Sequence, residues 1–146
     1  MRVSFDWLKD YVDIRISPQA LAEKLTMAGL EVTSLTKLDR DTILEIEVTP
    51  NRPDCLSIVG IAREVAAITG KRLNLPRTAS FRGQFGLSLP IQIKAKLQCL
   101  RYVGRVIRNV KVGPSPEWLI RRLEAMGIRA VNNIVDITNF CLLEFG

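Results

Sequence analysis

The chain has 146 residues, 47% hydrophobic and 25% charged, enough apolar material for one ordinary domain or two small ones. It contains no histidine, which removes Ser-His-Asp and Cys-His catalysis, histidine-ligated metals and the usual acid–base group near neutral pH. Net charge is +6, unevenly spread: residues 1–62 carry 7 basic and 10 acidic groups, residues 63–129 carry 14 and 3, and residues 130–146 add two acids. A middle region that basic fits a polyanion such as nucleic acid, or equally a solvated surface or an acidic neighbouring domain.

In chain order, the apolar positions Val3, Phe5, Trp7, Leu8, Tyr11 and Val12 predict a short amphipathic helix near the start. Ser17-Pro18 opens a second helix that Gly29 closes, with Leu21, Leu25 and Ala28 on one face. Leu30–Leu35 and Thr42–Val48 alternate as strands, joined by a short acidic link. Pro50-Asn51-Arg52-Pro53-Asp54 is a turn. Ser57 then caps a helix from Ile58 to Thr69, stopped by Gly70, whose apolar residues recur at i, i+3, i+4 and i+7. This order describes a small α+β unit, broadly like a winged helix, ending near Pro76.

Residues 77–90 are polar, glycine-containing and aperiodic, and read as a linker. Ile91–Ile93 and Tyr102–Val110 have the composition of strands. Ser115-Pro116 repeats the earlier opening of a helix, closed by Gly127. Val131–Leu143 is apolar with Asn132, Asn133, Asp136, Thr138 and Asn139 interspersed, a pattern that calls for more protein around it.

The chemistry-bearing candidates are few. Gly83-Gln84-Phe85-Gly86 lacks the glycine pattern and lysine of a phosphate loop. Glu45 and Glu47 share a strand face without a third ligand type, so no metal site is expected. Cys55, Cys99 and Cys141 form no C-x-x-C pair and read as free thiols of a reducing compartment. Cys55 has only Arg52 as a basic neighbour, a poor basis for an activated thiol. Lys94, Lys96, Arg101, Arg105, Arg108 and Lys111 are candidate contacts to an RNA backbone, although strand alternation would split them between two faces. Tyr102 alone interleaves them, which disfavours base stacking.

Several segments together resemble the β subunit of bacterial phenylalanyl-tRNA synthetase. They are Ser4–Lys9, Leu21–Val32, Glu47–Ser57 with its T-P-N-R-P-D run, Gly60–Ala66, Arg101–Ile107, and Asn132–Asn139 with its V-D-I-T-N run. The resemblance covers nearly the whole chain. It implies α+β architecture: a small winged-helix-like N-terminal domain (1–76), a linker (77–90) and the opening part of an α/β editing domain of B3/B4 type (91–146), whose histidine-containing segment would lie beyond Gly146.

The family enzyme is a cytoplasmic αβ heterotetramer that joins phenylalanine to tRNA using ATP and magnesium. Synthesis resides in its α subunit, and its β subunit hydrolyses mischarged tyrosyl-tRNA. These residues would then be a non-catalytic fragment holding no cofactor, and Arg129 and Asn139 occupy positions resembling editing-pocket members. Many relatives insert an OB-type tRNA-binding domain where this sequence has only Thr36–Thr42. The competing reading is a free-standing basic RNA-binding module on the same fold.

Overall fold

The computed structural model describes residues 1–76 and 90–146, so the linker expected at 77–90 and the Gly83–Gly86 loop lie almost wholly outside the described residues. Two compact units are present, residues 1–76 together with 112–146, and residues 77–111. The grouping follows packing, and so cuts the chain differently from boundaries drawn on composition.

In the larger unit, β1 (Arg2–Ser4) leads directly into α1 (Phe5–Leu8), and α2 (Pro18–Met27) follows. Strands β2 (Glu31–Leu38) and β3 (Asp41–Glu47) precede a 3-10 turn (Pro53–Cys55) and α3 (Ile58–Thr69). The elements α4 (Glu117–Ala125) and α5 (Asn133–Phe145) complete it. The three strands form one antiparallel sheet in the order β1-β3-β2, with Val3 opposite Leu44 and Leu35 opposite Leu44 on the other side. The architecture is mixed α and β. The sheet has a strand that local composition does not announce, because β1 is three residues long and exists only through β3, about forty positions away.

Local chemistry accounts for the helix boundaries. Ser17 Oγ accepts from the Ala20 N–H at 3.2 Å, and Pro18 occupies the first helical position. Ser57 Oγ accepts from the Gly60 N–H at 3.1 Å, and α3 ends at Gly70 with φ +65°, a left-handed stop that glycine adopts without strain. Seven residues of α3, from Ile58 to Ala66, are buried. All of these but Gly60 join Val3, Trp7, Leu8, Leu21, Leu25, Leu44 and Ile46 in a single core, against which Phe140 and Leu143 pack.

Two expectations are corrected. Ile91–Ile93 and Tyr102–Val110 form no strand. A strand needs a partner for its N–H and C=O groups, and the described part of unit 77–111 offers none; Asn109, at φ +60°, also interrupts the extended run. The argument that alternation divides the basic residues therefore does not apply. The second Ser-Pro sequence also works differently from the first. Pro116 is the N-cap of α4, and Ser115 Oγ instead donates to Asp136 Oδ2 at 2.5 Å. A buried carboxylate within reach outcompetes the local capping bond.

Candidate functional site

The proline-rich turn folds around Arg52. Its guanidinium donates through Nε to Asp54 Oδ1 at 3.0 Å and through Nη2 to Asp54 Oδ2 at 2.8 Å, a bidentate pair. The same Nη2 lies 2.7 Å from Glu64 Oε1 on α3 and 3.1 Å from Cys55 Sγ. The turn can close on α3 because residue 60 is glycine: a Cβ there would sit 1.8 Å from the Asp54 carbonyl oxygen. Arg52 holds the Asp54 carboxyl down at about 2, and burial followed by the bond to Asp54 pushes the Cys55 thiol up to about 11.

Asp54, Cys55 and Glu64 bring ligand atoms within 4.8 Å of one another, a spacing that suits a cation. The Arg52 guanidinium contacts all three groups and already supplies the positive charge. A thiol with raised pKa is neither a nucleophile nor a ready metal ligand at neutral pH. The cluster clamps the turn to α3. Sequence inspection places Arg52 beside Asp54 and Cys55 but gives no sign of Glu64, twelve residues on.

A second cluster fastens the 112–146 segment to the N-terminal elements. Trp7 stacks on Phe140 with ring centroids 5.0 Å apart, and Trp118 meets Phe140 edge-on at 5.5 Å. The Arg122 guanidinium lies 5.1 Å from the Trp7 ring, 5.7 Å from Trp118 and 5.9 Å from Phe140, and pairs with Asp10. Beneath them the buried Tyr11 hydroxyl donates to Glu144, and burial, reinforced by that carboxylate, raises the tyrosine pKa.

A third cluster organises the V-N-N-I-V-D-I-T-N segment. Asn132 caps α5, its Oδ1 accepting from the Ile134 and Val135 N–H groups at 3.0 and 3.1 Å. Asn133 exchanges two bonds with Gly113: its N–H donates to the glycine carbonyl at 2.9 Å, and its Oδ1 accepts the glycine N–H at 3.1 Å. Asp136, wholly buried, accepts from Ser115 Oγ and from the Val131 N–H at 2.9 Å.

The residues singled out from sequence fall in three places. Lys94, Lys96, Arg101, Arg105, Arg108 and Lys111 are all exposed and all belong to unit 77–111. Arg129 is exposed in the connection between α4 and α5, and Asn139 is half-buried on α5; no hydrogen bond links the two. Glu45 lies 3.7 Å from the N-terminal ammonium group. Among the described residues, no helix is long and apolar enough to cross a membrane.

Comparison with known proteins adds identity to this geometry. Residues 98–146 match the B3/4 domain family. The chain is 43% identical over 148 residues to the phenylalanine–tRNA ligase beta subunit of Rhodopirellula baltica, with all of the chain and 22% of the relative covered. It is 51% identical over 118 residues to that of Carboxydothermus hydrogenoformans, covering 81% of the chain and 15% of the relative. For the Synechocystis protein of the same name the figures are 54% over 121 residues, 82% and 14%. The chain thus spans about a fifth of these relatives' length or less. The chain belongs with the phenylalanine–tRNA ligase beta subunits, as a homologue of a small part of one.

Proposed function

We propose that the chain is a non-catalytic part of a phenylalanine–tRNA ligase beta subunit: a winged-helix-like N-terminal domain (1–76), a linker (77–90) and the start of an editing domain (91–146). The whole-chain similarity to the Rhodopirellula protein carries the reading. The absence of histidine fits the reading, since histidine is the side chain most often used as a general acid–base group. ATP, magnesium and the α subunit belong to the complete cytoplasmic enzyme in this reading. Arg129 and Asn139 would join an editing pocket completed by residues from elsewhere. The purified chain should show neither phenylalanine-dependent pyrophosphate exchange nor deacylation of tyrosyl-tRNA. Appreciable turnover in either assay would overturn the proposal.

One observation favours a second reading, in which the chain contacts RNA itself. The basic side chains of residues 94–111 are all exposed, and Lys94, Lys96, Arg101, Arg105 and Arg108 make no ion pair among the described residues. Phosphate contact of this kind is salt-dependent, losing close to one unit of log–log slope per phosphate released. A titration of tRNA binding against salt should show a slope of several units. A flat profile removes the reading.

A further inference from the structure

Within the larger unit a cleft of about 950 Å³ opens between the turn of the β2–β3 hairpin and α4, a volume in the range of small-molecule sites. Trp7, Leu38, Trp118 and Ala125 give it apolar walls, and the Trp118 indole is 54% exposed. Five carboxylates and three guanidiniums line it, so the lining has a balance of two negative charges in a chain whose net charge is +6. Most of these groups are already used. Asp41 accepts from Ser4 Oγ and from the Asp6 and Thr42 N–H groups, Asp6 holds Lys9, and Asp10 pairs with Arg122. Arg121 is bound to Glu117. The carboxylates of Asp39, on the hairpin turn, and Glu124, on α4, have no hydrogen-bond or ion-pair partner among the described residues. Arg40 is the one lining cation outside an ion pair among them.

We propose that this cleft binds a linear aliphatic polyamine, with ammonium groups on Asp39 and Glu124 and methylenes along the Trp118 indole. The cleft itself shows that it holds a cation on an alkyl stem. The Arg122 guanidinium lies there against Asp10, 5.1 Å from the Trp7 ring and 5.7 Å from Trp118, so ring faces and a carboxylate act on one cation together. Other ligand classes fit less well. A bare divalent metal needs several oxygen ligands at one point. Among the described residues, none of the cleft's carboxylates belongs to a set of three ligand groups within 4.8 Å of one another. An anion would meet a net negative lining with two of its three guanidiniums already paired. Separated free carboxylates with an indole between acidic walls suit an elongated organic cation, whose charges are spaced along an apolar chain. The attraction is local, because charges elsewhere on the basic chain are screened beyond about 8 Å at physiological salt.

Isothermal titration calorimetry of the chain with spermidine, at fixed ionic strength, checks this. Saturable single-site binding is expected. It should be tighter by about tenfold or more than that of butylamine, which has the chain with a single ammonium group, and of Mg²⁺, which has charge without the chain. Tryptophan emission should shift in step with the heat, because both indoles line the cleft. The double variant Asp39→Asn, Glu124→Gln should weaken spermidine binding by about tenfold or more. Its melting temperature should stay that of the parent chain, since both side chains are exposed and unpaired among the described residues. Three results each overturn the proposal: no saturable heat, equal affinity for Mg²⁺, which would reduce the cleft to a counterion atmosphere, or unchanged affinity in the double variant. The titration contains no tRNA and no substrate, so its outcome is independent of the beta-subunit and RNA readings.

Discussion

The helices α3 and α5 are similar in length and both rich in isoleucine, valine and leucine or alanine, yet they use their apolar residues in opposite ways. In α3 the apolar stripe faces inward and seven residues are buried; in α5 the buried positions include the only two carboxylates, while isoleucine, leucine and phenylalanine face outward. The difference shows that a helix can be fixed in place by hydrogen bonds to buried acids as well as by apolar burial. Asp136 ties α5 to the Ser115 hydroxyl and the Val131 amide, and Glu144 ties its far end to Tyr11. Of the apolar residues of α5, Phe140 and Leu143 pack against the core, while Ile137, Leu142 and Phe145 stay exposed.

The comparison can be broken first at α3. Replacing the fully buried Ile61 with alanine removes core volume that its neighbours cannot refill, and should lower unfolding free energy by about 2–5 kcal/mol in chemical denaturation. Next comes Asp136→Ala, which leaves the Ser115 hydroxyl and Val131 amide without their partner. Each orphaned buried donor costs about 1–3 kcal/mol, and hydrogen exchange should rise at Val131 and along the first turn of α5 before it rises in α3. If α3 loosens first, α5 is not held by its acid.

Acid provides a gentler probe of the turn that braces α3. The Asp54 carboxyl titrates at about 2 in the fold against an ordinary 3.8, with Arg52 as the main cause. Over that interval the unfolded chain binds more protons, so the stability contributed by Asp54 is present above about pH 4 and is lost as pH falls toward 2. Arg52→Met should flatten melting temperature across this window, and a variant as acid-sensitive as the parent chain would remove the assignment. The smallest effect is expected on the outer face of α5. Leu142→Ser in the isolated chain should change stability by no more than about 0.5 kcal/mol, because the side chain has little packing to lose.

Much of the larger unit is legible in sequence because its signals are local. Ser57 with Gly70 marks α3 to the residue, and Ser17-Pro18 with Gly29 marks the start of α2 and its end to within two residues, since caps and left-handed stops act within one helical turn. What escapes depends on distant partners. The strand β1 exists through β3, Glu64 reaches Arg52 only once the turn has closed, and Ser115 abandons its capping role for an acid twenty-one residues away. Tyr102–Val110 shows the converse: residues that favour a strand form none where no ladder is offered. Of the candidate site residues, sequence supplies the types and the exposure of the basic cluster. Arg129 and Asn139 come from the resemblance alone.

The aromatic cluster around Arg122 has a practical consequence. The chain contains two tryptophans, and both lie in this cluster, one from the N-terminal elements and one from α4. Phe140 touches both rings and a cation sits within 6 Å of each. The tryptophan fluorescence of the protein therefore comes from the seam between residues 1–76 and 112–146. Separation of those two segments changes that emission, so the molecule carries its own gauge of the seam without any added dye.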